Sequence, residues 1–193
     1  MKLIVIDIET TSLEPDRGQI VEFAFVLDDW SQPKPCYAYS RLIRNDPVYG
    51  DLHAVAMHGE RWKAIAEVGQ PLDAVMESFK AVAGNLGFLK PSRHDDGFHK
   101  FIAAGKNYGS FDGRWLERPL ARVGLRAVHR SLDPVSLYAE PGDADPPPLE
   151  ECCRRAGLSF DDRHHALADA LMVCRLLRAA KGLPYLFNDP EAL

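Results

Sequence analysis

Long apolar runs are missing from this sequence. The most hydrophobic opening stretch is broken at Asp7, and no segment is long enough to cross a bilayer, so the sequence reads as a chain without a membrane span. The N-terminus enters a strand directly, which leaves no secretory signal to be read, and the expected location is cytoplasmic. Cysteine is scarce and unpatterned. Cys36, Cys152, Cys153 and Cys174 form no C-x-x-C pair or other zinc spacing, and two are adjacent. That suits reduced thiols packed as small core hydrophobes better than a disulfide or zinc framework. Positive charge is also in deficit: 23 Lys and Arg face 28 Asp and Glu, for a net charge of −5. This balance argues against a broad basic surface for long nucleic acid. Basic residues gather only in short clusters such as Arg154-Arg155 and Arg114 to Arg122, and there is no internal repeat.

What is present is an ordinary globular composition, 46% apolar and 26% charged over 193 residues, which suits one domain spanning 1–193. The stretch Lys2-Leu3-Ile4-Val5-Ile6-Asp7-Ile8-Glu9-Thr10-Thr11 reads as a central strand buried on both faces. Side chains alternate along a strand, so Asp7 and Glu9 share one face while Ile8 returns to the core. Two carboxylates so placed repel each other, and a proton or a hard cation such as Mg²⁺ or Mn²⁺ relieves the repulsion. Taken alone, the pair reads equally well as two acids where a strand meets solvent.

Strands are expected again over 19–27 and 37–43, giving an antiparallel meander at the start of the chain. Loop or short helix is expected over 51–68. Helical spacing over 71–86 places Leu72, Val75, Met76, Phe79, Val82 and Ala83 on one face. An exposed loop over 90–100, a strand over 101–105, a helix from Asp112 and a strand over 128–132 follow. The proline-rich segment 139–148 excludes regular structure. Helices are expected over 149–156, closed by Gly157, and from Ala166 to about Lys181. This order implies an α/β fold, a mixed sheet with antiparallel leading strands, then parallel strands, flanked by helices.

Two later sites carry further acids. Asp112 opens a helix, where an isolated acid is ordinarily an N-cap. In Arg163-His164-His165-Ala166-Leu167-Ala168-Asp169, Asp169 sits among apolar residues in the first turns of a helix, and a partly buried acid needs a partner.

Taken together, Asp7-Ile8-Glu9-Thr10-Thr11, then Asn107 with Phe111-Asp112, then His164-x-Ala166-x-x-Asp169 resemble the three motifs of the DEDDh family of 3′–5′ exonucleases. That family includes the proofreading subunit of bacterial DNA polymerase III, oligoribonuclease and ribonuclease T. The likeness runs from Asp7 to about Leu177. It implies a ribonuclease H-like fold in which Asp7, Glu9, Asp112 and Asp169 bind two divalent cations, Mg²⁺ or Mn²⁺. It also implies a catalytic role for Glu9 and for His164, the general base by the family's spacing of five residues before the acid. The implied substrate is the 3′ end of single-stranded DNA or RNA, with release of 5′-mononucleotides. Backbone groups at Thr10 and Thr11 are implied to meet the terminal nucleotide, and Leu13 and Met57 to pack on its base. The segment Ala54 to Gly59, with His58, resembles one that the proofreading subunit places beside that nucleotide. In one respect the sequence departs from the family: three residues rather than two separate Asn107 from Phe111. A catalytically inactive nucleic-acid-binding or polymerase-accessory module of the same fold is the alternative, and a homodimer or a polymerase partner is left open.

Overall fold

The computed structural model describes residues 1–59, 61–94, 96–160 and 165–186. Its leading element, β1 (Lys2–Thr10), pairs antiparallel with β2 (Ile20–Asp29), which pairs antiparallel with β3 (Tyr37–Leu42). Two short helices follow, α1 (Leu52–Met57) and α2 (Arg61–Val68), then the longer α3 (Leu72–Asn85). After α3 come β4 (Lys90–Pro91), β5 (His99–Phe101) and β6 (Ala103–Ala104). The rest of the chain is α4 (Asp112–Arg122), β7 (Leu125–Ala127), α5 (Val135–Tyr138), α6 (Leu149–Ala156) and α7 (Ala166–Ala180). The main sheet has the order β3-β2-β1-β6, with β6 parallel to β1, and a small second sheet has the order β4-β5-β7. The mixed sheet flanked by helices is the ribonuclease H-like arrangement expected.

Alternation along β1 divides the core in two. Ile4, Ile6 and Ile8 join Phe23, Phe25 and Leu27 of β2 against Val75, Met76, Phe79 and Ala83 of α3 and Leu116 and Leu120 of α4. Leu3 and Val5 point the other way, with Val26, into a second cluster built from Cys152 and Cys153 of α6 and Leu171, Val173, Cys174 and Leu177 of α7. Asp7 and Glu9 continue the Leu3–Val5 row, so the strand's period of two aims them at the side of the sheet that α7 covers.

Several elements differ from expectation. The strand expected over 101–105 is split between two sheets, β5 in the small one and β6 in the main one, with the Ile102 carbonyl bonded to the Ile4 amide at 2.8 Å. The strand expected over 128–132 lies earlier, at β7, because Gly124 at φ 71° turns the chain directly out of α4, leaving Leu132 only an isolated bridge to Ala104. Both ends of the polar stretch 90–100 pair as a short hairpin, through backbone bonds that side-chain patterning does not report.

Candidate active site

The end of β1 brings two carboxylates to the face beneath α7, and Asp169, in the first turn of that helix, meets them. Oxygens of Asp7, Glu9 and Asp169 lie within 4.8 Å of one another, and this is the one group of three or more potential metal ligands among the described residues. Asp112 is not in that group, yet it lines the same cavity of about 520 Å³ as the other three acids. Lys106, Asn107, Ser110, Phe111, Leu149, Phe160 and Val173 complete the lining. Asp112 is 3% exposed and is the first residue of α4, not its cap; Phe111 holds the cap position without a side-chain bond. The backbone amides of Asp112 itself and of Ile8 favour its ionised carboxylate, which sets the start of α4 against the end of β1.

Four partly or fully buried acids on one cavity are electrostatically uncomfortable. Burial drives the Asp7 carboxyl well above its ordinary range, and the charges of Asp112, Asp169, Glu9 and Glu22 add to the effect. Glu9 is raised to about 7, first by burial, then by Glu22, against a lowering by Arg61, with Asp169 and Asp112 raising it further. Asp112 is raised to about 7 by burial, its backbone bonds opposing. Such a set is stable as carboxylates only with counter-charge, and hard oxygen donors this close fit divalent Mg²⁺ or Mn²⁺.

The other sequence-expected residues fall in different places. Asn107 and Phe111 line the acid cavity, and Thr10, Thr11, Leu13, Met57 and His58 do not. Thr10 donates its hydroxyl to the Ser12 carbonyl at 2.7 Å, and buried Thr11 donates to the Tyr49 carbonyl at 2.7 Å while accepting from the Gln19 amide. The backbone there is also engaged: the Thr11 amide donates to Gln19, and the Thr11 carbonyl accepts from Asp51. His58, 6% exposed, bonds through Nε2 to the Thr10 carbonyl at 3.0 Å and so fastens the end of α1 to the strand end. Leu13 and Met57, at 75% and 62% exposure, are apolar side chains open to a ligand. Asn107 adopts φ 59°, and its carbonyl accepts from the amides of both Ser110 and Phe111, which accommodates the extra residue of the second motif in a tight turn. His164 lies outside the described residues; its neighbour His165 occupies the cap position of α7 with no side-chain cap bond.

Sequence reasoning missed Glu22. It stands opposite Glu9 on β2, 4% exposed, in an ion pair with Arg61 of α2. Its signal was there to find: one acid inside the otherwise apolar run Ile20 to Leu27.

No family model and no curated protein matches the chain by sequence. Its fold does have counterparts among solved structures. Exonuclease I from E. coli in complex with a dA16 oligonucleotide superposes with a TM-score of 0.69 at 16% identity, over 94% of this chain and 41% of that one. Exonuclease I from Methylocaldum szegediense gives a TM-score of 0.67 at 19% identity, over 94% and 40%. The chain thus shares the fold of a part of those proteins and spans about two fifths of their length.

Proposed function

We propose that this chain is a metal-dependent 3′–5′ exonuclease that releases 5′-mononucleotides from single-stranded ends. The observation that carries the reading is the convergence of the Asp7, Glu9 and Asp169 carboxylates within 4.8 Å, beside Asp112, on this fold. Asp7, Glu9, Asp112 and Asp169 are the residues proposed to hold two cations, Mg²⁺ or Mn²⁺. Bound there, the cations would offset the phosphodiester's charge, make a water acidic enough to attack and stabilise the leaving 3′-oxygen. His164, two residues ahead of α7 in sequence, is proposed to take the attacking water's proton, a task for which an imidazole is the usual group near neutral pH. Asn107 and Phe111 on the cavity wall, with the exposed Leu13 and Met57, are the proposed contacts of the terminal nucleotide. The neighbour bound to dA16 makes single-stranded DNA the first substrate to try, ahead of RNA.

The test is incubation of the purified chain with 5′-labelled single-stranded DNA and RNA, with and without Mg²⁺ or Mn²⁺. The expected result is a cation-dependent ladder that shortens from the 3′ end. Binding without any shortening, under all of these conditions, would favour the inactive binding module and overturn the enzyme reading.

A further inference from the structure

Glu22 has no counterpart among the motif acids, yet it is more deeply buried than Glu9. The antiparallel register places it directly across from Glu9, on the same face of the sheet. Both of its oxygens have protein partners. Oε1 accepts from the Ser40 hydroxyl of β3 at 2.5 Å. Oε2 accepts from the Arg61 guanidinium of α2 and, at 3.4 Å, from the backbone amide of Ala166, the first residue of α7. One carboxylate therefore joins four elements: its own strand, the next strand, the helix α2 and the start of the helix that carries Asp169.

The last connection matters most. Asp169 lies three residues beyond Ala166, one turn into α7, so the seat of that amide decides where the Asp169 carboxylate falls relative to Asp7 and Glu9. An anion also suits the free amides at a helix start. With both oxygens occupied, and outside the group of converging carboxylates, Glu22 is placed to orient ligands and not to be one.

We propose that Glu22 is a positioning residue of the acid cluster, holding the N-terminus of α7, and through it Asp169, in register with Glu9 on β1. The inference rests on the metal-dependent reading of this site. Residues that orient ligands from behind commonly matter to metal affinity almost as much as the ligands do.

Two substitutions separate position from charge. Glu22→Asp keeps the charge but is one methylene shorter, so it cannot reach Ser40, Arg61 and Ala166 together. Glu22→Gln loses the charge but keeps the reach: its amide oxygen can accept from Arg61 and Ala166 while its NH₂ donates to the Ser40 hydroxyl. The measurement is Mn²⁺ affinity of the folded protein by calorimetry or by electron paramagnetic resonance, with no substrate present. Expected are a Kd raised about 10–100-fold in Glu22→Asp and a Kd within about threefold of the parent in Glu22→Gln. Equal or larger loss in Glu22→Gln would assign the effect to charge, and unchanged affinity in Glu22→Asp would leave Glu22 a packing residue; either overturns the proposal. Should neither variant fold, Ser40→Ala removes one of the holds on Glu22 and should still raise the Kd, and no rise there would overturn the proposal too. A parent protein that takes up no Mn²⁺ overturns the metal reading itself, a failure distinct from one confined to Glu22.

Discussion

At the scale of single residues, the acid cluster works against the fold that carries it. A carboxyl whose folded pKa is raised binds its proton more tightly in the folded state, so its contribution to stability is greatest at low pH and falls as pH rises through the folded value. Glu9 and Asp112, both raised to about 7, place that loss between the ordinary carboxylate range and about pH 7. Chelator-treated protein should therefore melt at a higher temperature at pH 5 than at pH 7.5, and added Mn²⁺ should recover the difference at pH 7.5 only. A melting temperature that climbs from pH 5 to 7.5 without cation would show that burial and neighbouring charge do not hold these carboxyls protonated. Asp7→Asn and Asp169→Asn should each abolish turnover while leaving the chelated protein equally or more stable at pH 7.5. His164→Ala should behave differently, lowering kcat by on the order of 10²–10⁴ with Mn²⁺ affinity retained. A crippling effect of His165→Ala instead would move the base by one position.

At the scale of elements, α7 has two jobs, and they are anchored at opposite ends. Its first turn carries Asp169 to the site. Its last turn carries Arg178, which has no exposed side-chain surface and makes a bidentate pair with the equally buried Asp28 of β2. Arg178 also donates to the carbonyls of Gln32 and Pro184. Removing one partner of a buried pair leaves the other charge uncompensated, so Arg178→Ala should cost about 3–5 kcal/mol in urea unfolding. A loss well under 1 kcal/mol would mean that Asp28 finds other partners when the guanidinium is gone. The pair thus locks α7 against the same strand whose Glu22 meets its start.

For the whole molecule, charge sets the expected grip on substrate. On α4 the basic side chains stand beside acids at the surface: Arg114 meets Glu14, Arg118 meets Asp16 and Arg122 meets Asp73. With 23 basic residues against 28 acidic ones, the chain is expected to act distributively, holding only the last few nucleotides. Initial rates on oligonucleotides from dinucleotide length upward, at two salt concentrations, check this. Each contacted phosphate on a single strand adds about −0.7 to the log–log salt slope, so a few contacts give a shallow dependence and little gain with length. Rates that climb with length and collapse with salt would reveal a basic track.

The sequence alone determined the elements whose pattern is carried by side chains. The alternating run of β1 with its two acids, the apolar face of α3 and the apolar α7 opening near Asp169 are all local, and each survives in the structure. It placed a strand over 101–105, where β6 and the end of β5 lie, but neither its division between two sheets nor the position of β7, because these elements are two or three residues long and exist through backbone pairing with distant partners. Nor did it show that Glu22 belongs beside Glu9, because strand register is a relation between segments and a lone acid in one strand does not name its opposite number. Only the tertiary structure decided that the Leu3–Val5 face of β1 is the one α7 covers. That choice places Asp169 over Asp7 and Glu9, where burial and mutual repulsion turn separate acids into a candidate metal centre.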